Sequence, residues 1–247
     1  MSIKQFVKNN LPDFLLEWNR RRKLEKLRIQ NSSMSTKEVF SAIYSNNMWG
    51  GETGTFCSGS GSQFELAKPY CEMVRKFVYE YDVKSVLDIG CGDFSVGQYL
   101  QLTNVKYVGV DIVPSLIERN IKLFGSDLIE FKCLDVIEDE LPTADLVLVR
   151  QVLQHLSNEQ ISKVLNKLGS YRYVLVTEHY PAPFVNAIPN IDKPHGGDTR
   201  IPDNSAVYLD QEPFNIQGIH TLLEVPASHS LVHDGETIKT MLITKDA

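Results

Sequence analysis

The segment Val86-Leu87-Asp88-Ile89-Gly90-Cys91-Gly92-Asp93-Phe94 carries an apolar run into an acid and then into two glycines one residue apart. Val86, Leu87 and Ile89 suit a parallel strand covered on both faces, and Gly90 and Gly92 permit torsions and a close ligand approach that a Cβ would block. A helix is expected to follow from about Ser95 to Leu102, its N-terminus toward the ligand. Folds that bind dinucleotides use a similar loop, but they call for a third glycine three residues after the second. Ser95 stands there, and the next glycine is Gly97. Asp88 would also repel a pyrophosphate, so the loop suits a cationic ligand without phosphates, such as a sulfonium amino acid.

Further strands follow in order. Val105 to Asp111 reads as a second strand ending in an acid 19 residues after Gly92, Phe131 to Val136 as a third carrying Asp135, and Ala144 to Arg150 as a fourth. The motif Asp88-Ile89-Gly90-Cys91-Gly92-Asp93-Phe94 resembles the first motif of class I S-adenosyl-L-methionine (SAM) dependent methyltransferases. That resemblance implies SAM as cofactor, with Asp88, Gly90 and Gly92 at the loop, Asp111 on the ribose hydroxyls, and Asp135 at the adenine amino group beside Val136. Ile112 is placed to pack on the adenine, a position core burial explains equally well. Either of Asp111 and Asp135 alone would read as a turn or helix cap; a series of three strand-end acids favours the cofactor reading.

Composition sets the bounds. A chain of 247 residues, 43% hydrophobic, has room for one large α/β domain with extensions. A net charge of -6 argues against a nucleic-acid footprint over the whole surface. Cys57, Cys71, Cys91 and Cys133 fall in no paired metal spacing, which fits a reduced, cytoplasmic protein. No apolar run reaches the length of a membrane span, and no signal-peptide core is visible at the start. Asp192, Asp198, Asp203 and Asp210 match no calcium-loop spacing, so no metal is expected.

The first 30 residues are electrostatically distinct, with eight Lys and Arg against three acids, a net of +5, while the remainder carries -11. Pro12 can open a helix running to about Ile29, with Phe14, Leu15, Trp18, Leu24 and Leu27 among Arg20 to Lys23, Lys26 and Arg28. A basic helix of this kind can lie on an anionic membrane surface or dock on a partner. Its patchy apolar stripe favours packing on its own domain or on a dimer mate.

Residues 1–34 therefore read as a basic helix and hinge, and residues 35–82 as a helical segment covering the cofactor. In the latter, Lys37 to Ser45 is expected to be helical, and Ser62-Gln63-Phe64-Glu65 reads as a capping box opening a helix from Phe64 to about Tyr81. The pattern Ile43-Tyr44, Trp49-Gly50 and Ser58-Gly59-Ser60-Gly61-Ser62 resembles a subset of methyltransferases encoded with bacterial surface-polysaccharide genes. It implies that Trp49, Ser58, Gly59 and Ser62 help to hold the cofactor. Many such sequences place an arginine before the glycine-serine run, where this chain has Thr55, Phe56 and Cys57.

Residues 83–247 form the expected core, an α/β, Rossmann-like, seven-stranded and mostly parallel sheet with helices on both faces. Arg150-Gln151-Val152-Leu153-Gln154-His155-Leu156 resembles the family's strand-end segment, with Gln151 replacing the usual acid. The Asp/Asn-Pro-Pro-Tyr sequence of enzymes that methylate amide or base nitrogens is absent there, which points to an oxygen acceptor. His155 is the candidate base, with an ordinary pKa near 6.5; capping or packing of a short turn is its structural alternative. Arg150 and His179 complete the catalytic candidates. Tyr171 to Thr177 reads as a fifth strand delivering Glu178, His179 and Tyr180 to the ligand edge.

From Pro181 to Gly218 periodicity disappears, and six prolines surround His195-Gly196-Gly197-Asp198-Thr199-Arg200. A long irregular insert suggests an acceptor-binding lid, in which Gln151, Tyr180, Asp198 and Arg200 are the substrate-binding candidates. Asp198 and Arg200 read equally well as an exposed ion pair. Thr221 to Val225 and Lys239 to Thr244 close the sheet as an antiparallel pair around Asp234-Gly235. The reading that results is O-methylation of a carbohydrate or related small acceptor. A dinucleotide oxidoreductase and a non-catalytic SAM-binding subunit are the alternatives.

Overall fold

The computed structural model describes residues 13–52, 54–227 and 235–244, without the side chains of 13, 14 and 17. Pro12, the Phe14 side chain and Asp234 lie outside this description. Helix α1 (Asp13–Asn31) and α2 (Thr36–Ser45) precede α3 (Phe64–Glu80). The alternating core then runs β1 (Ser85–Ile89), α4 (Ser95–Leu100), β2 (Lys106–Asp111), α5 (Pro114–Phe124), β3 (Ile129–Cys133), β4 (Leu146–Arg150), α6 (Asn158–Leu168) and β5 (Tyr173–Tyr180). Strands β6 (Ile219–Pro226) and β7 (Thr237–Thr244) close it.

The seven strands lie in the order β3-β2-β1-β4-β5-β7-β6, with β7 antiparallel to both neighbours and the other pairings parallel. Chain direction across the sheet reverses between β1 and β4, which opens a crevice at their carboxyl ends. Alternation along β1 explains how both faces are filled. Val86 packs with Tyr70, Val74 and Phe77 of α3, whereas Leu87 and Ile89 pack with Ile161, Val164 and Leu165 of α6. Each fully buried aliphatic side chain contributes roughly 1.5–3 kcal/mol of transfer free energy, so the crevice sits on a rigid base.

Local signals account for most element starts. Ser35 and Glu38 form a reciprocal capping box on α2, and Ser157 and Gln160 form another on α6. Pro114 occupies the first turn of α5, where its missing N–H costs nothing. The expected box at Ser62 is corrected by the structure: Gln63 is the N-cap of α3 without a side-chain bond, and the Ser62 hydroxyl donates to Ser58 O at 3.3 Å. Strand β3 runs Ile129–Cys133 and stops short of the expected end at Val136, so Asp135 lies in the following turn. Strand β5 extends through Tyr180 because β7 pairs with all eight of its residues.

The 181–218 segment is irregular apart from a short turn at Ile201–Asp203, yet it is packed. Ala206, Val207 and Leu209 are buried in the same apolar cluster as β4 and α6. Asn190, at φ 54°, donates to Tyr208 O and Glu212 O at 2.8 Å each and accepts from Tyr208 N at 2.8 Å. Asparagine tolerates this left-handed backbone better than most residues, and its amide closes the loop on itself.

Candidate active site

At the end of β1 the chain turns through Gly90 and Gly92. Gly92 has φ 56°, and a Cβ there would stand 2.3 Å from Ser58 Oγ. The contact shows that the 58–62 run lies directly on the glycine loop. Ser58 N donates to Asp93 Oδ2 at 3.1 Å, and Asp93 N donates to Ser58 Oγ at 2.8 Å, a reciprocal clasp. Asp93 Oδ1 also accepts from Ser95 N at 3.0 Å and from the Ser95 hydroxyl at 2.6 Å, while Tyr44 Oη lies 3.0 Å from Ser58 Oγ. From α5, the buried Asn120 donates to Gly92 O at 2.8 Å.

Around this loop is a cavity of about 360 Å³. Asp88, Asp111 and Asp135 all line it, as do Ile112 and Val136. Asp111 Oδ2 accepts from Gly92 N and its Oδ1 from Val113 N, each at 3.1 Å. Burial nevertheless pushes its carboxyl up to about 6, against those backbone bonds. Burial likewise raises Asp88 to about 6, while a hydrogen bond from the Tyr107 hydroxyl opposes the shift. Asp135 opens a turn: Oδ1 accepts from Ile137 N at 2.8 Å, so it both caps and faces the cavity.

A glycine cradle with its Cβ space closed, a carboxylate with lone pairs left over beside two accepted bonds, and an apolar patch at Ile112 and Val136 fit an adenosyl group. The other end fits an amino acid's carboxylate. Arg150 at the tip of β4 is half-buried, donates to Gly61 O at 2.7 Å and packs 5.2 Å from the Tyr70 ring. Its Nε has no hydrogen-bond partner among the described residues. Burial holds its pKa below the usual guanidinium value. Gln151, at φ 54°, follows it into the cavity, and a Cβ on Gly61 would collide with its amide at 2.1 Å.

The turn Leu153–His155 places an imidazole in the same space. Glu178 of β5, fully buried, accepts from Leu153 N at 2.9 Å and Gln154 N at 3.2 Å, fixing that turn. Burial pushes the Glu178 carboxyl up to about 8. His155 Nδ1 faces Gly196 O at 3.1 Å and Asp198 O at 3.3 Å. Carbonyl oxygens only accept, so Nδ1 carries the proton and Nε2 the lone pair. Gln154 Nε2 is a long 3.4 Å from that lone pair. Burial, then the Lys193 charge, push the ring down to about 4, so it is neutral at pH 7.

Trp49, Ser58, Gly59, Ser62 and His179 also line the cavity. His179 Nε2 lies 2.9 Å from Glu236 Oε2 of β7's leading edge, and burial lowers the His179 pKa. The Trp49 ring is 5.2 Å from that of His155, and its Nε1 donates to Gly197 O at 2.9 Å.

Three substrate candidates are placed elsewhere. Tyr180 is buried on a different groove and donates to Val207 O at 2.7 Å. Arg200 is 1% exposed and donates to Ile191 O and, at 2.8 Å, to Leu156 O. Asp198 pairs with Arg28 at 2.8 Å and Lys193 at 3.5 Å rather than forming an exposed pair with Arg200. Polar residues in an irregular segment face either way, and here they staple it to the body.

Sequence reasoning missed Asn120, Glu236 and the role of Asp93. An acid two residues before Ser95, at a helix start, was the local signal for Asp93. Nothing local announced its bond to Ser58, 35 residues away. Among the described residues no group of His, Cys, Asp or Glu is arranged to hold a metal ion, and no helix is long and apolar enough to cross a membrane.

A parallel sheet with a glycine cradle at its reversal point and acids at successive strand ends defines a Rossmann-like methyltransferase fold. Residues 87–171 match the family described as a methyltransferase domain. No curated protein matches the chain. Among solved structures, the magnesium protoporphyrin IX methyltransferase ChlM from Synechocystis PCC 6803 is 16% identical, with a TM-score of 0.52 over 86% of this chain and 100% of that one. The N-methyltransferase NodS from Bradyrhizobium japonicum WM9 is 12% identical, with a TM-score of 0.51 over 73% and 88%. A putative sarcosine dimethylglycine methyltransferase from Galdieria sulphuraria is 13% identical, at 0.52 over 83% and 98%. Identities this low establish a shared fold. The domain match adds that residues 87–171 are similar to a methyltransferase domain, and this is the stretch that carries the glycine cradle and the strand-end acids.

Proposed function

We propose that the chain methylates a hydroxyl of a carbohydrate or related small acceptor, with His155 as the proton acceptor. The observation that carries this reading is the His155 tautomer: two carbonyls claim Nδ1, leaving the Nε2 lone pair with a single long contact. An incoming hydroxyl makes a better partner for that lone pair than the Gln154 amide does. SAM supplies an already activated methyl group, so the protein's task is alignment and exclusion of water.

Each part of the chain then has a task. Asp111, ionised at neutral pH, accepts from vicinal hydroxyls. Arg150 offers its unpartnered Nε to a carboxylate, replacing the arginine that position 55–57 lacks. The Trp49 and Phe40 rings flank the imidazole at 5.2 and 6.3 Å, shield it from water and offer flat apolar faces to a sugar ring. A positioned base adds on the order of 10²–10⁴ to the rate. The basic α1, net positive in an acidic chain, suits an anionic lipid surface or a second copy, and the free cysteines suit a reduced cytoplasm.

The test uses methyl-labelled SAM with a panel of nucleotide-linked sugars. Label is expected on a sugar oxygen, and His155→Ala should lose 10²-fold or more in turnover on the scale of base catalysis while keeping SAM affinity. A His155→Ala protein with full turnover removes the base from this reading, and label found only on nitrogen acceptors removes the carbohydrate.

A further inference from the structure

Arg28 lies 127 positions before His155 in the chain, on a helix that reads as a peripheral basic extension. In the folded molecule its guanidinium grips the segment that holds the imidazole. Arg28 Nε and Nη2 donate to Asp198 Oδ2 at 3.0 and 2.8 Å, and Nη1 donates to Asp203 Oδ1 at 3.2 Å, with Nη2 also meeting Asp203 Oδ2. The side chain is 19% exposed and those of Asp198 and Asp203 are 14% and 25% exposed. One planar cation therefore spans two carboxylates five residues apart, a geometry that arginine's fork provides and lysine does not.

The surroundings tighten the same strap. His195 Nε2 is 3.0 Å from Met34 O, and Gln160 Nε2 is 3.2 Å from His195 Nδ1. A Cβ on Gly196 would lie 2.7 Å from Asn31 Nδ2, so the strap touches the C-terminal end of α1. Trp49 holds Gly197 O, and Gly196 N donates to His155 O at 2.9 Å. Between these grips, the carbonyls of Gly196 and Asp198 receive the Nδ1 proton of His155.

We infer that Arg28 is a positioning residue for His155: by bridging Asp198 and Asp203 it fixes the carbonyls of residues 196 and 198, and they hold the imidazole as its Nδ1–H tautomer. The functional meaning of this coupling rests on the base role proposed above, although the coupling itself is a statement about geometry. Helix α1 is thereby part of the catalytic apparatus, and the His195 to Asp203 strap is a support for the base. Removing Arg28 leaves Asp198 and Asp203 as close carboxylates, with Lys193 reaching only the first at 3.5 Å. The strap then loosens and water reaches the ring. The charged groups acting on His155 are Lys193, just before the strap, and Asp198 within it, while α2 and the turn after it present Phe40 and Trp49.

Long-range ¹⁵N–¹H spectra of the histidine rings in the full chain test this without any acceptor, with His155→Gln assigning the resonance. In the wild type, His155 should stay a single Nδ1–H tautomer and remain neutral to about pH 5, given a ring pKa pushed down to about 4. In Arg28→Ala the midpoint should rise by about one pH unit or more toward the ordinary 6.5, with the two tautomers mixed. Arg28→Lys should fall between, and Asp203→Asn should move the same way by less. SAM affinity by calorimetry should stay within about twofold, because the glycine cradle makes none of these contacts. An unchanged His155 titration and tautomer in folded Arg28→Ala overturns the inference, and so does a shift matched by a tenfold loss of SAM affinity. Should Arg28→Ala not fold, unchanged spectra in both Arg28→Lys and Asp203→Asn overturn it. Full turnover in His155→Ala would instead defeat the base assignment and leave the measured coupling standing.

Discussion

Replacing Asp93 by alanine should uncouple the covering segment from the cofactor loop. The carboxylate is 8% exposed and accepts three hydrogen bonds, from Ser58 N, Ser95 N and the Ser95 hydroxyl. The hydroxyl can rotate toward another partner, but the two backbone donors cannot. Each buried donor left without an acceptor costs about 1–3 kcal/mol. Water entering the vacated space recovers part of that, so a net loss of about 2–4 kcal/mol is expected. For a chain of this size, that lowers Tm by roughly 5–15 °C.

The second consequence separates this role from generic destabilisation. Ser58 also closes over Gly92, so freeing it opens the cradle, and SAM affinity should fall by more than tenfold, or ~1.4 kcal/mol. Limited proteolysis should cut between residues 50 and 62 much faster in Asp93→Ala than in the wild type, and SAM should slow cleavage less. Calorimetry, thermal melts and proteolysis together decide the matter. A lowered Tm with unchanged SAM affinity and unchanged cleavage of the 50–62 stretch would refute the clasp. An unchanged Tm would refute the hydrogen-bond accounting.

SAM affinity should also depend on pH through Asp111. Its carboxyl is raised to about 6, and the ionised form is the better acceptor, so affinity rises with pH through that value; between pH 7.5 and pH 5 the wild type should weaken by about tenfold. Asp111→Asn should flatten that dependence, and calorimetry showing the same slope in both proteins would count against it. For the apo protein the sign is reversed: a carboxyl raised on folding favours the fold below its unfolded pKa and withdraws that support as pH rises through 6. Asn190→Ala should cost about 2–4 kcal/mol in denaturant melts, since three hydrogen bonds close the 190–212 loop and the residue is 6% exposed; a loss below 1 kcal/mol would show that the loop holds without them.

The cofactor half of the site was legible because its signals are local. A buried strand, its terminal acid and the following glycines are contiguous from Val86 to Gly92, and the same grammar recurs at Asp111. Boundaries slipped where pairing decided them: β5 runs on to Tyr180 because β7 extends to meet it. Ser62 offered a capping pattern, but the turn through Ser60–Ser62 directs its hydroxyl back to Ser58 O. The acceptor side was harder because its contacts are remote in sequence. Arg28 meets Asp198 across 170 residues, and Asp198 and Arg200, adjacent but for one residue, serve different carbonyls and cations. An irregular segment has no period from which facing can be read.

The roof formed by Ser58 to Ser62 has a kinetic consequence. The Ser58–Asp93 clasp, and the bond from Arg150 to Gly61 O, tie this run to the glycine loop and to β4, so a donor in the cradle is covered on that side. His155, Trp49 and Thr199 line the same cavity as this run, so donor and acceptor share one space beneath it. Loosening the clasp, as in Asp93→Ala, should therefore speed release of the demethylated cofactor in stopped-flow experiments, and an unchanged release rate would show that the roof does not gate exchange.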